Sequence, residues 1–502
     1  MDRTVWNIDY IVVQAGGKGT RLERLTENKP KALVPVENIP ILFHLFHKFP
    51  DKRFIIIADY KSDVLREFLE SFAEVQYHIV DAGGSGTCAG VGLAINLLPS
   101  GEPFLLIWSD LILSEEFTLP KEQCDYIGIS QTFPCRWSYK DGIFAEEYSQ
   151  EHGVAGLFVF QNKSSLAGIP ESGELVRWFQ SLNMHFTELV LTGAREFGLL
   201  SDFDALEQKK CRPFNKIIVD GDTLIKEPID EQGRRLACLE RKWYKTALSK
   251  GVKNIPKLFT TEPLKMELIN GKNIYEYAAL SLYDKQIILC KLIDSLKQLH
   301  SLENVPADTF SIREAYYNKT MARLSKIRDL VPFADRRNIT INGRECRNVY
   351  YYKRDLEREL DILRCDRFTF IHGDCTFSNM ILKNDTVPIL IDPRGYFGFT
   401  EIYGDPNYDW AKLYYSIVGN YDRFNLNDFR LTINENDVSL WIMSNQWEEL
   451  EQDFFNLSHA DPKTIKLLHA IIWLSFTTYA WQDYDSICGA FYNGLYYLEE
   501  IL

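Results

Sequence analysis

The stretch Ile11-Val12-Val13-Gln14-Ala15-Gly16-Gly17-Lys18-Gly19-Thr20-Arg21-Leu22 decides the fold of the N-terminal half of this chain. A short β-branched run leads directly into a glycine-rich turn, whose backbone N–H groups can approach phosphate oxygens because no Cβ obstructs them. Arg21 adds a positively charged fork beside that turn. The glycine spacing is neither that of a Walker loop nor that of a dinucleotide fingerprint. The stretch therefore predicts a strand that carries a phosphate-binding turn at its carboxyl end.

Strand-like runs of the same kind recur downstream. Apolar runs at residues 54–58 and 104–108 alternate with helical stretches as far as residue 204. This alternation predicts an α/β domain in which helices cover a largely parallel sheet. A polar segment, residues 207–212, ends the pattern, and new strand-like runs then surround an Asp220-Gly221-Asp222 turn. We predict the domain boundary in that polar segment.

The rest of the chain has mainly helical periodicity from residue 275 onward. A strand-rich island at residues 368–390 interrupts it and holds the densest polar motifs. The apolar stretch 467–481 is shorter than the roughly 18 residues of a spanning helix and is broken by hydroxyl side chains. It predicts a buried helix.

Composition excludes several classes of protein. A length of 502 residues predicts two to four packed units. The net charge of −14 disfavours binding to nucleic acids or anionic membranes. The ten cysteines include no Cys-x-x-Cys pair and indicate neither a disulfide framework nor a zinc site. With no secretory signal in the first ten residues, we expect a cytoplasmic protein, and the oligomeric state stays open.

Three further features extend the N-terminal phosphate site. Pro30-Lys31-Ala32-Leu33-Val34-Pro35-Val36 brings a second cation, Lys31, towards it. Gly83-Gly84-Ser85-Gly86-Thr87 opens a helix, whose first N–H groups and dipole favour an anion. Asp110 follows the run 104–108, at the sheet edge where ligands of open α/β sheets bind. A carboxylate there predicts a magnesium ligand.

Together these motifs resemble the sugar-phosphate nucleotidyltransferase family over about 200 residues. The resemblance implies a Rossmann-like nucleotidyltransferase domain at residues 1–207. It implies that Lys31 binds the attacking phosphate, that Arg21 stabilises the α-phosphate and that Asp110 ligates Mg²⁺. It also implies a second metal ligand, Asp202 or alternatively Asp204. The residues expected to hold the nucleotide are Ala15, Gly16, Gly17, Gly19, Thr20, Gly86 and Thr87.

A second set of polar residues lies on the strand-rich island. Asn379 stands five residues after the aspartate of His372-Gly373-Asp374, and Asp392 follows thirteen residues later, behind an apolar run. Phosphoryl transfer from ATP needs one carboxylate to accept or orient the proton of a substrate hydroxyl. It also needs an Asn and a second Asp to hold the metals on ATP. The spacing therefore predicts a kinase site.

A kinase also needs an ammonium over the α- and β-phosphates, held by a carboxylate on a helix. Lys226, at the end of a strand-like run, and Glu240, in a helical segment, supply this pair. Residues 264–271 have the apolar-then-glycine form of a hinge between lobes. We expect the backbone of Met266, Glu267 and Leu268 to read adenine.

These features resemble the aminoglycoside phosphotransferase and choline kinase family, which phosphorylates small alcohols, from residue 213 to the end. The resemblance implies a two-lobed, protein-kinase-like α+β fold, with an N-lobe at residues 208–270 and a C-lobe at 271–502. It implies Asp374 as catalytic base, Asn379 and Asp392 as metal ligands, and Asp409 as a brace for the catalytic loop. A glycine-rich loop is missing between residues 215 and 226, where Gly221 stands alone.

Aromatic residues crowd the end of the chain and allow two interpretations. In the first, they form a binding site in which a quaternary ammonium such as choline, or a sugar ring, contacts the aromatic faces. In the second, they are ordinary core residues at helical spacing. They are Tyr414, Tyr415, Tyr421, Phe424, Phe476, Tyr479, Trp481, Tyr484, Phe491, Tyr492, Tyr496 and Tyr497.

The sequence thus predicts a bifunctional enzyme that uses Mg²⁺, ATP and a second nucleoside triphosphate. One half phosphorylates a small alcohol or sugar, and the other couples that phosphate to the nucleotide and releases pyrophosphate. The families resembled favour CTP and products such as CDP-choline, a CDP-alditol or a nucleotide sugar for surface polysaccharide synthesis. UTP, GTP or dTTP with a sugar 1-phosphate is the rival. The alternative from another class makes the kinase-like half a metabolite-binding or regulatory module. We expect small-molecule partners, no nucleic acid and no membrane insertion.

Overall fold

A computed structural model describes residues 7–83, 86–204, 215–277, 279–363 and 365–502. These residues form two compact units. The first comprises the described residues of Met1–Lys209 with Trp481–Asp485, and the second those of Lys210–Ala480 with Ser486–Leu502. The predicted boundary at 207–212 lies outside the described residues. None of the helices in the described ranges combines the length and the apolar character needed to cross a bilayer.

The first unit alternates strands and helices. Its strands are β1 Tyr10–Gln14, β2 Pro35–Val36, β3 Ile39–Pro40, β4 Arg53–Ala58, β5 Gln76–Asp81, β6 Phe104–Trp108, β7 Leu111–Ile112, β8 Tyr126–Ser130, β9 Ser138–Lys140, β10 Ile143–Ala145, β11 Gly153–Phe160, β12 Thr187–Val190 and β13 Arg195–Glu196. Its helices are α1 Ile41–Lys48, α2 Ser62–Phe72, α3 Thr87–Asn96, α4 Leu175–Ser181 and α5 Leu200–Asp204, with 3-10 turns at Thr20–Thr26, Lys31–Leu33 and Lys163–Leu166.

The central sheet of this unit confirms the predicted α/β fold. Strand β1 lies between β4 and β6 and runs parallel to both, and β5 continues the parallel arrangement beside β4. Beyond β6 the sheet is extended by the antiparallel strand β11. Fully buried side chains such as Val12, Leu106 and Phe158 form the core against α3 and α4. The carboxyl ends of β1 and β6 therefore meet at one edge, where the predicted phosphate turn and Asp110 lie.

The second unit combines small sheets with long helices. Its strands are β14 Asn215–Asp220, β15 Thr223–Pro228, β16 Leu258–Thr261, β17 Leu264–Glu267, β18 Gly271–Asn273, β19 Asn304–Pro306, β20 Asn338–Ile341, β21 Arg344–Arg347, β22 Arg367–Phe370, β23 Met380–Lys383, β24 Val387–Leu390, β25 Tyr396–Phe397, β26 Thr400–Glu401, β27 Tyr403–Gly404, β28 Phe429–Ile433 and β29 Asp437–Ile442. Its helices are α6 Glu231–Ser249, α7 Leu282–Ser301, α8 Thr309–Arg313, α9 Lys319–Lys326, α10 Lys353–Ile362, α11 Pro406–Ile417, α12 Tyr421–Asn425, α13 Glu451–Ser458, α14 Pro462–Phe476 and α15 Tyr484–Leu498. A π-helical turn, Glu314–Asn318, joins α8 to α9, and 3-10 turns lie at Ile274–Glu276, Phe377–Asn379 and Glu448–Leu450.

This arrangement fits the predicted kinase-like fold. An antiparallel sheet in the order β14-β15-β17-β16 packs with α6, and the largely helical remainder carries the β23–β24 hairpin next to Asn379 and Asp392. The predicted turn at residues 220–222 is confirmed as a two-residue hairpin loop, with Gly221 at a φ of 56°. That backbone conformation is accessible to glycine at little cost.

Two predictions about secondary structure need correction. The buried helix predicted at 467–481 is α14, which begins earlier, where the Asp461 side chain caps it, and ends at Phe476. The segment after residue 275 also contains a four-stranded sheet, in the order β21-β20-β29-β28, that periodicity did not predict. Its strands are short, and the parallel pair β20 and β29 joins residues far apart in the chain, so no local pattern announced it.

Candidate active sites

The glycine-rich turn after β1 is shaped by close backbone packing. The Ala15 N–H donates to the Ile57 carbonyl at 2.9 Å. A Cβ on Gly16 would lie 2.7 Å from Asp59 Cβ, so only glycine fits there, whereas Gly17 has open space around it. Gly19 has a φ of 64°, and the 3-10 turn that contains Arg21 begins directly after it, at Thr20. The turn therefore presents exposed backbone at the end of β1, as a phosphate site requires.

Lys31 and Asp110 come together although 79 residues separate them. Lys31 begins a 3-10 turn, and its ammonium forms an ion pair with the carboxylate of Asp110, just beyond β6. Both side chains are largely buried, with exposed fractions of 11% and 16%. The structure thus joins the predicted phosphate ligand to the predicted metal ligand.

Glu196 belongs to the same charged cluster and was missed in the sequence. It lies in β13, which pairs with β7, and the N–H of Phe197 donates to the Asp110 carbonyl at 3.1 Å. Burial and the neighbouring charge of Asp110 raise the pKa of Glu196 to about 7, although Lys31 and Arg21 oppose that rise. Two carboxylates held this close favour a bound cation. The sequence around Glu196 matches no motif, so nothing local indicated its place in this cluster.

Arg21 lies beside this cluster. Its guanidinium is close enough to lower the pKa of Glu196, and its Nη2 would be 3.5 Å from a Cβ placed on Gly198. Arg21, Lys31, Asp110 and Glu196 therefore converge from four segments of the chain.

Asp202 has a different local environment from Asp110. Its Oδ2 accepts hydrogen bonds from the N–H groups of Gly198 at 3.1 Å and Leu199 at 2.8 Å. Asp202 thus orders the turn that follows Glu196. Its role as a metal ligand stays a prediction, and the side chain of the alternative, Asp204, lies outside the described residues.

Gly86 and Thr87 stand at the start of α3. Gly86 has a φ of 91°, and a Cβ on it would approach the Gly173 carbonyl oxygen to 2.6 Å. The Thr87 hydroxyl accepts a hydrogen bond from the Leu175 N–H at 2.8 Å. Both residues therefore hold the segment before α4, and their nucleotide contact stays a prediction. Gly84 and Ser85 lie outside the described residues.

In the second unit, Lys226 joins the two predicted carboxylates. Its Nζ lies 2.8 Å from Glu240 Oε1 and 2.6 Å from Asp392 Oδ1, although Asp392 is 166 residues away in the chain. Burial alone would lower the pKa of Lys226, but the charges of Asp392 and Glu240 raise it above its ordinary value. The ammonium is therefore charged and fixed, as an ion that contacts ATP phosphates must be.

Asp374 and Asn379 form the other half of the predicted kinase site. The Asn379 amide donates to the Asp374 carboxylate at 2.8 Å, and the Ile391 N–H donates to the Asn379 carbonyl at 3.0 Å. This backbone link places Asn379 beside the residue that precedes Asp392. Lys412, which the sequence reading missed, lies 3.1 Å from Asp374 Oδ1. It stands on α11, three residues after Asp409, and that helical spacing is the signal that could have revealed it.

Asp409 fixes the backbone of the loop that contains Asp374. Its carboxylate accepts hydrogen bonds from the N–H groups of His372 at 2.9 Å and Gly373 at 2.7 Å, and His300 Nε2 lies 3.1 Å away. Burial raises the pKa of Asp409, but His300 and the backbone donors outweigh it, so the pKa stays below its ordinary value. The buried carboxylate therefore remains ionised and fixes the residues that precede Asp374.

The segment predicted to contact adenine is partly a strand. Met266 and Glu267 lie in β17, not in a hinge loop. The N–H of Glu267 donates to the Lys257 carbonyl at 2.8 Å, and that of Leu268 donates to the Asp222 carbonyl at 2.9 Å. These two donors are thus used within the protein, and the adenine contact of Met266, Glu267 and Leu268 stays a prediction.

Most of the aromatic residues near the C-terminus form core and no cage. Tyr414, Tyr415 and Phe424 are at most 2% exposed, and the rings of Tyr415 and Trp473 lie 4.7 Å apart. Tyr479 differs, because it is 49% exposed. Packing thus explains most of the aromatic cluster.

Comparison with known families agrees with both sets of motifs. Residues 10–121 match the model of the nucleotidyl transferase family, and residues 263–430 match that of the phosphotransferase enzyme family. The two resemblances drawn from the motifs are therefore confirmed. The chain joins a nucleotidyl transferase segment, with Arg21, Lys31 and Asp110, to a phosphotransferase segment that includes Asp374 and Asp392.

The individual relatives match short stretches of the chain. UTP--glucose-1-phosphate uridylyltransferase AglF of Haloferax volcanii is 44% identical over 57 residues, 11% of this chain and 24% of that protein. The bifunctional protein GlmU of Methanocaldococcus jannaschii is 28% identical over 109 residues, 21% and 26% of the two chains. The chain thus spans about a quarter of the length of these curated relatives.

Two solved structures of nucleotidyltransferases are similar to part of the chain. The inositol-1-phosphate CTP transferase from T. maritima has a TM-score of 0.34 at 17% identity, covering 40% of this chain and 93% of the other. The CTP:phosphocholine cytidylyltransferase from Streptococcus pneumoniae has a TM-score of 0.32 at 19% identity, covering 39% and 97%.

Proposed function

We propose that the protein is a bifunctional enzyme: a kinase that phosphorylates a small alcohol or sugar with ATP, and a nucleotidyltransferase that couples the product to a nucleoside triphosphate. The observation that carries this proposal is convergence. In each unit, cations and carboxylates from distant positions in the chain meet in one cluster, Lys31 with Asp110 and Lys226 with Glu240 and Asp392. Clusters of this composition stabilise phosphorus centres during displacement.

The donor sets of both sites fit Mg²⁺. Asp110 with Glu196, and Asn379 with Asp392, offer the oxygen ligands that this ion prefers. No group of three or more carboxylate, thiol or imidazole side chains suited to a metal was found within the described ranges. Magnesium does not need such a cage, because water and substrate phosphates complete its shell. When bound, Mg²⁺ neutralises charge on the nucleotide phosphates.

In the kinase half, Asp374 orients the acceptor hydroxyl and takes its proton as phosphoryl transfer proceeds. Asn379 holds the Asp374 carboxylate through its amide, and Lys412 supplies positive charge beside the phosphoryl group that is transferred. Lys226, fixed by Glu240, contacts the phosphates of ATP. These roles need no covalent intermediate on the protein.

In the nucleotidyltransferase half, the acceptor phosphate attacks the α-phosphorus in line and pyrophosphate leaves. Lys31 orients the attacking phosphate, and Arg21 stabilises charge that develops on the α-phosphate. We propose CTP as the nucleotide, because alcohol phosphates without an anomeric carbon are carried as CDP derivatives in the families resembled. The product would serve surface polysaccharide synthesis, and the enzyme would act in the cytoplasm.

The test supplies the purified protein with Mg²⁺, ATP, a panel of alcohols and sugars, and CTP, UTP, GTP or dTTP in turn. ADP release reports the kinase, and pyrophosphate release reports the nucleotidyltransferase. Lys31→Ala should abolish only pyrophosphate release. Asp374→Asn should abolish ADP release, and its pyrophosphate release should return when the acceptor phosphate is supplied directly. The exposed-site controls Lys245→Ala and Asp366→Asn should retain both. Intact pyrophosphate release in Lys31→Ala with supplied acceptor phosphates would contradict the N-terminal proposal. Wild-type protein without ADP release on any acceptor would favour a metabolite-binding module.

A further inference from the structure

Three cationic side chains, one of which is packed against the loop that contains Asp374, have no role in the proposed phosphoryl transfer. Lys319 and Arg323 lie four residues apart on α9, directly after the π-helical turn Glu314–Asn318. Arg394 follows the metal-ligand candidate Asp392 by two residues. All three are partly exposed, so a solute can reach them. Single π-turns inside helices are frequent at functional sites.

Arg394 is fixed against the catalytic loop. Its N–H donates to the His372 carbonyl at 2.9 Å, and a Cβ on Gly373 would lie 2.9 Å from Arg394 Cβ. Its guanidinium donates to the hydroxyls of Tyr408 at 2.6 Å and Tyr396 at 3.0 Å. The positive charge is therefore held next to the two residues that precede Asp374.

Lys319 and Arg323 also lie beside tyrosine rings. Lys319 Nζ lies 5.8 Å from the centre of the Tyr396 ring, and Arg394 Cζ lies 4.4 Å from the same centre. Arg323 donates to the Ser475 hydroxyl at 2.8 Å and stacks over the exposed Tyr479 ring at 4.4 Å. The rings and hydroxyls orient the cations.

The charge of this cluster is not compensated. Among the described residues, Lys319, Arg323 and Arg394 form no ion pair with a carboxylate, whereas Lys412 pairs with Asp374 at 3.1 Å. Burial, together with the charges of Arg394, Arg323 and Lys412, lowers the pKa of Lys319 to about 6, and Glu314 opposes this. The Lys319 amine is therefore largely neutral at pH 7 in the free protein, and a bound anion would favour its protonated form. Partly buried cations side by side raise the free energy of the folded state. A bound anion would offset that cost.

We propose that Lys319, Arg323 and Arg394 bind an oxyanion of the phosphoryl acceptor, so that the acceptor is an alcohol bearing a carboxylate or phosphate group and not choline. Guanidinium groups bind both oxyanions through paired hydrogen bonds. The same uncompensated positive charge would repel a quaternary ammonium. The inference rests on the proposed kinase function and narrows its substrate class.

The test compares acceptors in matched pairs at saturating ATP. Glycerate and glycerol 3-phosphate are each compared with glycerol, gluconate with sorbitol, and choline is added alone. We expect the preferred anionic compound to exceed its neutral partner by at least about 30-fold in kcat/KM, the loss typical when one partner of a buried charged pair is removed. The two glycerol derivatives separate a carboxylate from a phosphate requirement. Neutral alcohols or choline used equally well would overturn the inference while leaving the kinase proposal intact.

Substitutions on helix α9 test whether Lys319 causes the preference for anionic acceptors. Lys319→Met should lower kcat/KM for the anionic acceptor by about 30-fold, mainly through KM, and leave the neutral partner unchanged. Lys326→Met, which removes a charge at an exposed position of the same helix, is the matched control. An unchanged ratio of anionic to neutral kcat/KM in Lys319→Met would contradict the proposed subsite.

A binding measurement separates the two proposals. Glycerate and glycerol 3-phosphate are titrated by calorimetry into the wild type and Lys319→Met, each saturated with a non-hydrolysable ATP analogue. Anion binding that weakens in Lys319→Met supports the subsite even if no acceptor is turned over, an outcome that would contradict only the kinase proposal. Anion binding equal in both proteins, or none in either, would overturn the inference.

Discussion

The side chain of Lys226, in strand β15, contacts both Glu240 of helix α6 and Asp392, the predicted metal ligand. Lys226→Met should lower kcat/KM for ATP by at least about 100-fold, because the phosphates lose a fixed positive charge. It should also destabilise the protein by about 3 kcal/mol, since the buried carboxylate of Glu240 loses the ammonium that it contacts. ADP release and urea unfolding measure the two effects. Lys216→Met, exposed on the neighbouring strand, should change neither.

Glu196 offers a second test at the scale of a residue. Because it adjoins Asp110 and Lys31, Glu196→Gln should weaken Mg²⁺-dependent nucleotidyl transfer by about 10- to 100-fold. The loss should appear as a higher Mg²⁺ requirement in pyrophosphate release, with ADP release unchanged. Glu188→Gln, exposed on β12, is the control. A normal Mg²⁺ requirement in Glu196→Gln would remove this residue from the metal site.

At the scale of elements, the turn after β1 depends on one close approach. Gly16→Ala would place a methyl group 2.7 Å from Asp59 Cβ, whereas Gly17→Ala meets no atom within 4 Å. We expect Gly16→Ala to destabilise the protein by roughly 1–3 kcal/mol and to raise KM for the nucleoside triphosphate. Gly17→Ala should fold normally. Thermal unfolding and pyrophosphate kinetics compare the two, and equal melting temperatures would show that the turn relaxes freely.

His469, in helix α14, should make the free energy of unfolding depend on pH. Burial, with a contribution from Lys466, lowers the pKa of His469 to about 3, and its Nε2 accepts a hydrogen bond from Trp473 at 3.0 Å. The folded state keeps this ring neutral, while the unfolded chain takes up a proton below its ordinary pKa near 6.5. Stability from this group is therefore complete above pH 6.5 and is lost as pH falls towards 3.

The expected loss is roughly 2–3 kcal/mol between pH 7 and pH 4. Urea unfolding at a series of pH values should show this slope, and His469→Gln should flatten it because glutamine does not titrate. An equally steep slope in His469→Gln would assign the acid sensitivity to other groups.

At the scale of the whole molecule, the two reactions should be separable. Asp374→Asn and Lys31→Ala protein, each inactive in one step, should together form the nucleotide-linked product from ATP, alcohol and CTP, because the phosphorylated intermediate diffuses. The mixture should be slower than the wild type at low protein concentration, where tethering raises the local concentration of intermediate. Chromatography of the products measures this. A mixture that forms no product at any concentration would contradict two independent sites.

Local patterns predicted much of this protein. The β1 run with its glycine turn, and the spacing of Asp374, Asn379 and Asp392, indicated both families before any contact was known. Residues without a motif were missed, because their role depends on neighbours that are distant in sequence. Glu196 is such a residue, since it acquires its partner Asp110 through a two-residue strand pair.

The sequence by itself determined the alternation of strands and helices in the first unit, its parallel sheet and the types of residue at both sites, because periodicity and short spacings act within one or two elements. Only the tertiary structure decided which charges meet. The link from Lys226 to Asp392 spans 166 residues, and Arg394 joins Lys319 and Arg323 of α9 from a separate segment. Electrostatic energy depends on distance and burial, and folding alone sets both.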